Sequence, residues 1–243
     1  MLPAIQKTMK KTNKKLLVSK DGVFFSLQGE GPTMGKPAIF LRLQLCNLHC
    51  AWCDTKHTWN SQDGESWSIT KTVIKLGRYM DSERYRYQRI VITGGEPLLQ
   101  SDAIDELLGQ FCYPHRVEIE TNGTISPSQA MISDGVRFNV SPKLENSGNL
   151  KESRYAPAIL QVFNEVKKTS FKFVVTGPKD IAEIERIVRE CDLDSEKIIL
   201  MPEGRSQEAI SKHGKAVAEI CKEKGWQLIP RLQVMLWGDE RKK

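Results

Sequence analysis

Three cysteines fall within eight residues, Cys46-Asn-Leu-His-Cys50-Ala-Trp-Cys53, with the spacing C-x3-C-x2-C. Thiolates that close together can face one compact inorganic core from a single loop. Iron–sulfur cubanes are usually held by four cysteines, so three leave one iron without a protein ligand, open to a substrate or cofactor. Zinc is the competing reading, with His49 or His57 completing a Cys3His site. Such loops usually bring a second ligand pair from further along, and none is evident here. Structural cysteines without any metal are the third reading. The second candidate is Thr93-Gly94-Gly95-Glu96-Pro97. Glycines let a ligand approach the backbone, and consecutive N–H groups can cup a carboxylate; the same residues also make an ordinary turn. Cys112, Cys191 and Cys221 are scattered singly, which does not suggest a disulfide framework. Cys191 and Cys221 lie on apolar helix faces and read as small buried residues.

The elements that must position these motifs alternate along the chain. Short apolar runs at residues 37–45, 89–93, 116–121, 136–140, 170–175, 197–201 and 226–236 read as strands. Between them lie segments of helical period. Ser68 caps a helix carrying Ile69, Val73, Leu76 and Met80 on one face, another carries Ile104, Leu107, Leu108 and Phe111, and the last, near residues 209–224, stops at Gly225. This alternation predicts an α/β fold of parallel βα units. Six or seven units are too few for a closed eight-fold barrel of about 250 residues, so an incomplete, splayed (β/α) barrel is expected. Chemistry in such folds collects at the C-terminal ends of the strands. There the sequence places the cysteine loop, the Gly-Gly-Glu-Pro turn, Glu120-Thr-Asn-Gly123 and Ser141-Pro-Lys143.

The 243 residues, 40% hydrophobic and 27% charged, suit one domain with a sizeable core. The net charge of +6 is concentrated at the start, where residues 1–15 hold five lysines and no acid. Without those five, 31 basic residues face 30 acidic ones. Residues 1–17 are therefore expected to form a flexible basic tail and residues 18–243 a single domain. No direct nucleic-acid partner is expected. No run approaches the roughly 20 apolar residues of a membrane span, and no secretory signal is apparent, so a cytoplasmic location is expected.

The cysteine triad followed by Gly-Gly-Glu-Pro resembles the radical S-adenosylmethionine (SAM) superfamily. Phe25-Ser-Leu27-Gln28-Gly29-Glu30-Gly31-Pro32, Arg42 and Cys53-Asp54-Thr55-Lys56-His57-Thr58-Trp59 narrow the resemblance to the 7-carboxy-7-deazaguanine synthase family of queuosine and 7-deazapurine biosynthesis. The closing Arg231-Leu-Gln-Val-Met-Leu-Trp-Gly is also similar. The resemblance implies a [4Fe–4S] cluster on Cys46, Cys50 and Cys53, whose open iron chelates SAM, and one-electron cleavage of SAM to a 5′-deoxyadenosyl radical. The implied reaction is that of a carbon–nitrogen lyase: 6-carboxy-5,6,7,8-tetrahydropterin becomes 7-carboxy-7-deazaguanine with loss of ammonia, and SAM is regenerated. Implied substrate contacts are Leu27, Gln28, Gly29, Glu30, Arg42 and Thr93. A planar, bidentate guanidinium suits the pterin carboxylate, and Glu30 would accept from pterin N–H groups. Implied SAM contacts are Trp52, Cys53, Asp54, Gly95, Ser141, Pro142 and Lys143, and further along Met201, Pro202, Glu203 and Gly204, where the wording departs from the family's. Thr55 matches the family's Mg²⁺ ligand, a metal for which one neutral protein oxygen can suffice. Homodimers and a flavodoxin or ferredoxin reductant are implied too. Some members end in a proline that reaches the substrate, whereas this chain ends Asp239-Glu-Arg-Lys-Lys.

Two alternatives stand beside this reading. A glycyl-radical-enzyme activase would act on a protein and leave Gln28, Glu30, Arg42 and Thr55 without a task. A zinc-stabilised nucleic-acid-binding module would use the lysine-rich start.

Overall fold

The computed structural model describes residues 13–80, 89–111, 116–238 and 240. Nine strands form one sheet: β1 (Lys15–Leu27), β2 (Pro37–Leu43), β3 (Glu65–Ser68), β4 (Arg89–Gly94), β5 (Val117–Thr121), β6 (Arg137–Val140), β7 (Thr169–Val175), β8 (Ile198–Pro202) and β9 (Gln227–Leu228). Their order is β3-β1-β2-β4-β5-β6-β7-β8-β9. From β2 onward each strand runs parallel to the next, and β1 is antiparallel to both its neighbours. Among the described residues strands β3 and β9 remain as edges, so the sheet is an open, incomplete barrel as expected.

Helices α1 (Ile69–Gly77), α2 (Ser101–Leu108), α3 (Gln129–Ser133), α4 (Lys151–Arg154), α5 (Pro157–Glu165), α6 (Lys179–Glu190) and α7 (Gln207–Lys224) fill the connections, and α8 (Leu232–Trp237) follows β9. The Ser68 side chain accepts from Lys71 N and starts α1, whose Ile69, Val73 and Leu76 are buried. Gly225, at φ 70°, ends α7. Among the described residues no helix is long and apolar enough to cross a membrane.

The strands have two unlike faces. Ile39 and Leu41, Ile90 and Ile92, Val117 and Ile119, Phe138 and Val140, and Phe171 and Phe173 pack in the main core with the helices. The alternate positions, Arg42, Thr93, Glu118, Glu120, Asn139 and Lys172, point to the other side. Burying the apolar set stabilises the fold at about 25 cal/mol per Å², and the inner set is left for other work. Cys191 and Cys221 are buried in the core, as expected; Cys112 lies outside the described residues.

Two expectations need correction. Lys15–Leu17, assigned to the basic tail, are the first residues of β1, and Leu16 is fully buried; residues 1–12 lie outside the described set. The strand β1 has no counterpart among the expected strands, and it runs through Asp21-Gly22, a pair that commonly makes a turn. Here Gly22 takes φ +62° and the pairing with β2 shifts register between Val18 and Val23, so the chain bulges and continues as a strand. The strand expected over 226–236 shrinks to Gln227–Leu228. Pro230 has no N–H to extend a ladder. Beyond it the chain folds back, Leu232 N donating to Gly29 O at 3.0 Å.

Candidate active site

The cysteine loop leaves the end of β2 through a constrained residue. Leu45 holds φ 77°, a left-handed conformation uncommon for a branched side chain. Its N–H donates to Thr58 O, and its carbonyl accepts from Glu96 N, both at 2.7 Å. That carbonyl explains the glycine pair. A Cβ on Gly95 would stand 1.9 Å from Leu45 O, and one on Gly94, at φ +131°, 2.1 Å from Leu43 O. The turn is glycine because backbone of the cysteine strand rests on it. Glu96 then joins a third strand: its buried carboxylate accepts from Thr121 Oγ1 at 2.7 Å, Asn122 N at 2.6 Å and Leu98 N at 2.9 Å. Burial pushes this carboxyl up, and those donors oppose the rise.

Cys50 is buried, while Cys46 and Cys53 are partly exposed. Burial pushes the Cys46 thiol up to about 11 and raises Cys50 as well. Thiolates here call for a cationic partner, and a bound metal deprotonates a thiol outright. Among the described residues no three His, Cys, Asp or Glu side chains are placed to share one ion. Zinc requires that convergence; in a cubane each sulfur binds a different iron. The two nearby histidines are held by other neighbours: His57 Nε2 lies 3.0 Å from Asp21 Oδ2, and the His49 ring packs edge-on against Trp59 at 4.8 Å. The donor set fits an iron–sulfur cluster.

The loop forms one wall of a cavity of about 300 Å³ at the C-terminal ends of the strands. Every cluster, substrate, SAM and magnesium contact that the resemblance implies lines it except Pro142 and Pro202. On the SAM-like segments, Lys143 Nζ donates to Ser141 O and Oγ, both at 2.8 Å, and stands 5.5 Å from the Trp52 ring centroid. Burial lowers its pKa. Trp52 Nε1 donates to Asn146 Oδ1 at 3.1 Å. Thr55 Oγ1 lies 3.6 Å from Cys53 Sγ. Asp54 pairs with Arg231, and Gly204 O accepts from Arg231 Nη1 at 3.2 Å.

On the substrate-like side, Arg42 Nε sits 3.2 Å from Asp21 Oδ2, with the guanidinium 5.5 Å above the Phe24 ring. Gln28 donates to Glu120 Oε1 at 3.0 Å and accepts from Glu30 N at 3.2 Å. Thr93 Oγ1 donates to Glu120 Oε2 at 2.6 Å. Burial raises the Glu120 carboxyl, with Lys172 opposing. The segment carrying Gln28 and Glu30 is tied down by Thr33, whose hydroxyl donates to the fully buried Glu118 at 2.6 Å. Glu118 is matched in turn by Arg89 at 2.8 Å.

Glu30 differs from expectation. Its carboxylate already pairs with Lys172 and accepts from Arg231 Nε at 3.3 Å and Gln233 Nε2 at 2.8 Å. Burial alone would raise it, but Lys172 and Arg231 win and hold it well below the usual carboxylate range. Three protein donors leave it little capacity for a pterin N–H, whereas Glu120 carries two. A Cβ on Gly29 would stand 1.8 Å from Gln233 Oε1, so a side chain there would push the Gln233 amide away from Glu30.

Glu120, Lys172 and Asn139 received no role from the sequence, although a signal was present. They sit at alternate positions in otherwise apolar strands, Val-Glu-Ile-Glu, Phe-Asn-Val and Phe-Lys-Phe, the mark of a strand with one polar face. Arg231 and Gln233 carry no such signal, because their partners lie up to 203 residues away.

Comparison with known proteins gives the family. The model of the radical SAM superfamily matches residues 42–142. The 7-carboxy-7-deazaguanine synthase of Pyrobaculum aerophilum is 34% identical over 225 residues, covering 91% of this chain and 95% of that one. The synthase of Halobacterium salinarum is 33% identical over 238 residues, covering 89% of each chain. The crystal structure of QueE from Escherichia coli superposes with a TM-score of 0.64 at 27% identity, covering 90% of this chain and 94% of that chain. With ligand-bearing loop, open barrel and full-length similarity in agreement, the chain belongs to the 7-carboxy-7-deazaguanine synthase family of radical SAM enzymes.

Proposed function

We infer that the protein converts 6-carboxy-5,6,7,8-tetrahydropterin to 7-carboxy-7-deazaguanine with loss of ammonia, in queuosine and 7-deazapurine biosynthesis. The observation that carries this reading is one cavity shared by the three-cysteine loop, the Arg42 cation and the half-buried Glu120 carboxylate. Cys46, Cys50 and Cys53 would hold a [4Fe–4S] cluster and Thr55 a Mg²⁺ ion. When bound, the cluster and SAM supply one-electron, hydrogen-abstracting chemistry, and the magnesium polarises oxygen.

The chain's own residues supply recognition and order. Arg42, steadied by Asp21, presents N–H groups to the substrate carboxylate. Glu120, held by Gln28 and Thr93, offers acceptor capacity to the amine and N–H groups of a pterin edge. Glu30 binds the C-terminal segment through Arg231 and Gln233 and, at the cavity wall, keeps a remaining lone pair for a pterin N–H. Leu27 and Gly29 add apolar and backbone surface. Trp52, Asp54, Gly95, Ser141, Lys143, Met201, Glu203 and Gly204 form the SAM side, and Pro142 and Pro202, which do not line the cavity, shape the backbone that carries their neighbours. A homodimer in the cytoplasm, reduced by a flavodoxin or ferredoxin, is the setting we propose. A glycyl-radical activase needs none of this buried polar set.

Anaerobic incubation with carboxypterin, SAM, Mg²⁺ and dithionite tests the reading. Product and ammonia should appear in equal amounts with SAM unspent, and SAM cleavage without deazaguanine would refute it. Arg42→Lys keeps the charge but not the planar fork. It should weaken carboxypterin binding by about 1.5–3 kcal/mol and leave SAM affinity unchanged; equal substrate affinity would make Arg42 a partner of Asp21 alone. Thr55→Ala should lower both turnover and its response to added Mg²⁺, and Thr55→Ser should retain most of each. A magnesium titration identical in wild type and Thr55→Ala removes this residue from the metal site.

A further inference from the structure

The loop after β6 reaches the cysteine loop from outside the cavity. Gly148, at φ 75°, turns the backbone so that Asn149 lies against it. His49 N donates to Asn149 Oδ1 at 2.9 Å, and Asn149 Nδ2 lies 3.3 Å from Cys50 Sγ and 3.1 Å from Ser147 Oγ. A backbone N–H only donates, so the amide oxygen must face His49, and this orients the NH₂ toward the sulfur. The contact is braced on both sides. Ala51 N donates to Ser147 O at 2.9 Å. The buried Arg154 donates from Nε to Asn149 O at 3.2 Å and from Nη1 to Lys143 O at 2.9 Å, and pairs with Glu183 at 2.7 Å. Asn149 does not line the cavity.

We propose that Asn149 is a positioning residue that sets the reduction potential of the cluster through its N–H···S bond to Cys50. The inference rests on the reading of this loop as a cluster site. An electron added to a cubane increases the negative charge on its sulfurs, and a hydrogen bond stabilises that charge more in the reduced than in the oxidised form. Hydrogen bonds to the sulfurs are among the factors that set such potentials. Nδ2 therefore holds the potential up and would ease electron uptake by a cluster held on this loop. Because the residue lies outside the cavity, its effect on electron transfer separates from any effect on ligand affinity.

The test is a dithionite titration of the anaerobically reconstituted enzyme, followed by electron paramagnetic resonance of the reduced cluster. Wild type, Asn149→Ala and Asn149→Asp are compared, with iron, sulfide and unfolding temperature measured on the same samples. Both variants should show a lower midpoint potential at unchanged iron content. The shift should be larger for Asn149→Asp, which keeps an acceptor for His49 N–H but replaces the donor with negative charge. Three equal midpoints at equal iron content overturn the proposal. If Asn149→Ala loses the loop's shape, Asn149→Asp decides, and loss of iron from both makes Asn149 a scaffold of the loop and overturns it too. A wild-type protein that takes up no cluster defeats the reading of the loop itself, and the iron assay shows that before any potential is measured.

Discussion

Replacing any one of Cys46, Cys50 or Cys53 with alanine is expected to abolish SAM cleavage and deplete the cluster. The three sulfurs come from one loop at the end of β2, and no fourth cysteine adjoins it among the described residues. Two thiolates cannot hold a cubane that already lacks one protein ligand. Cys50 is the sharpest case, because it is buried and its sulfur also meets Asn149. Cys191→Ala and Cys221→Ala serve as controls. Both side chains sit in the core, so these changes should lower stability while iron content stays at the wild-type level. Iron analysis, visible absorption and SAM cleavage measured anaerobically on the five proteins decide the matter. A fully loaded, active Cys50→Ala enzyme would remove the triad from the site.

Gly95→Ala is expected to be nearly as severe, although the residue bears no functional group. The new Cβ would stand 1.9 Å from Leu45 O and 3.0 Å from Cys46 N, both backbone atoms that cannot rotate away. Leu45 is already left-handed and is pinned by Thr58 O and Glu96 N. The strain has to pass into the strand end that carries Cys46, moving it by more than an ångström. Misplacement on that scale can cost about a hundredfold in rate. SAM cleavage should fall at least that far, with poor cluster loading in the same reconstitution. Gly177→Ala supplies the comparison, since a Cβ there meets nothing within 4 Å; it should stay within about 0.5 kcal/mol of wild type. Wild-type iron content and SAM cleavage in Gly95→Ala would show that the glycine is not needed for clearance.

These two positions also show why part of the site was legible in the sequence. Cluster ligands need thiols a few residues apart, and close backbone contact needs glycine, so both requirements are written in local residue types. The parallel strands were legible for a similar reason, being apolar runs between helical periods. Strand β1 was not, because Asp21-Gly22 makes a bulge here and a turn elsewhere, and only pairing with β2 decides which. Residues 226–236 misled in the opposite direction: their apolar content suits a strand, but Pro230 and the bond from Leu232 to Gly29 make a short helix. Glu30 could be placed in the cavity from its motif, yet its partners Lys172, Arg231 and Gln233 lie 142 to 203 residues away, beyond any local pattern.

The two-faced strands have a consequence for how the molecule tolerates change. Along β5, Val117 and Ile119 face the helices while Glu118 and Glu120 face inward, and β7 repeats the pattern with Phe171 and Phe173 against Lys172. Parity of position therefore sorts mutational outcomes. A truncation at Val117 or Ile119 opens a void beside the helices and should appear in an unfolding curve, at about 2–5 kcal/mol for isoleucine to alanine. At Glu120, which lines the cavity, exchanging the side chain for another polar one of similar size touches no apolar packing and re-draws what the cavity can recognise, whereas Glu118 anchors Thr33 and Arg89. Selection can thus revise ligand preference on one side of a strand while the other side keeps the barrel standing.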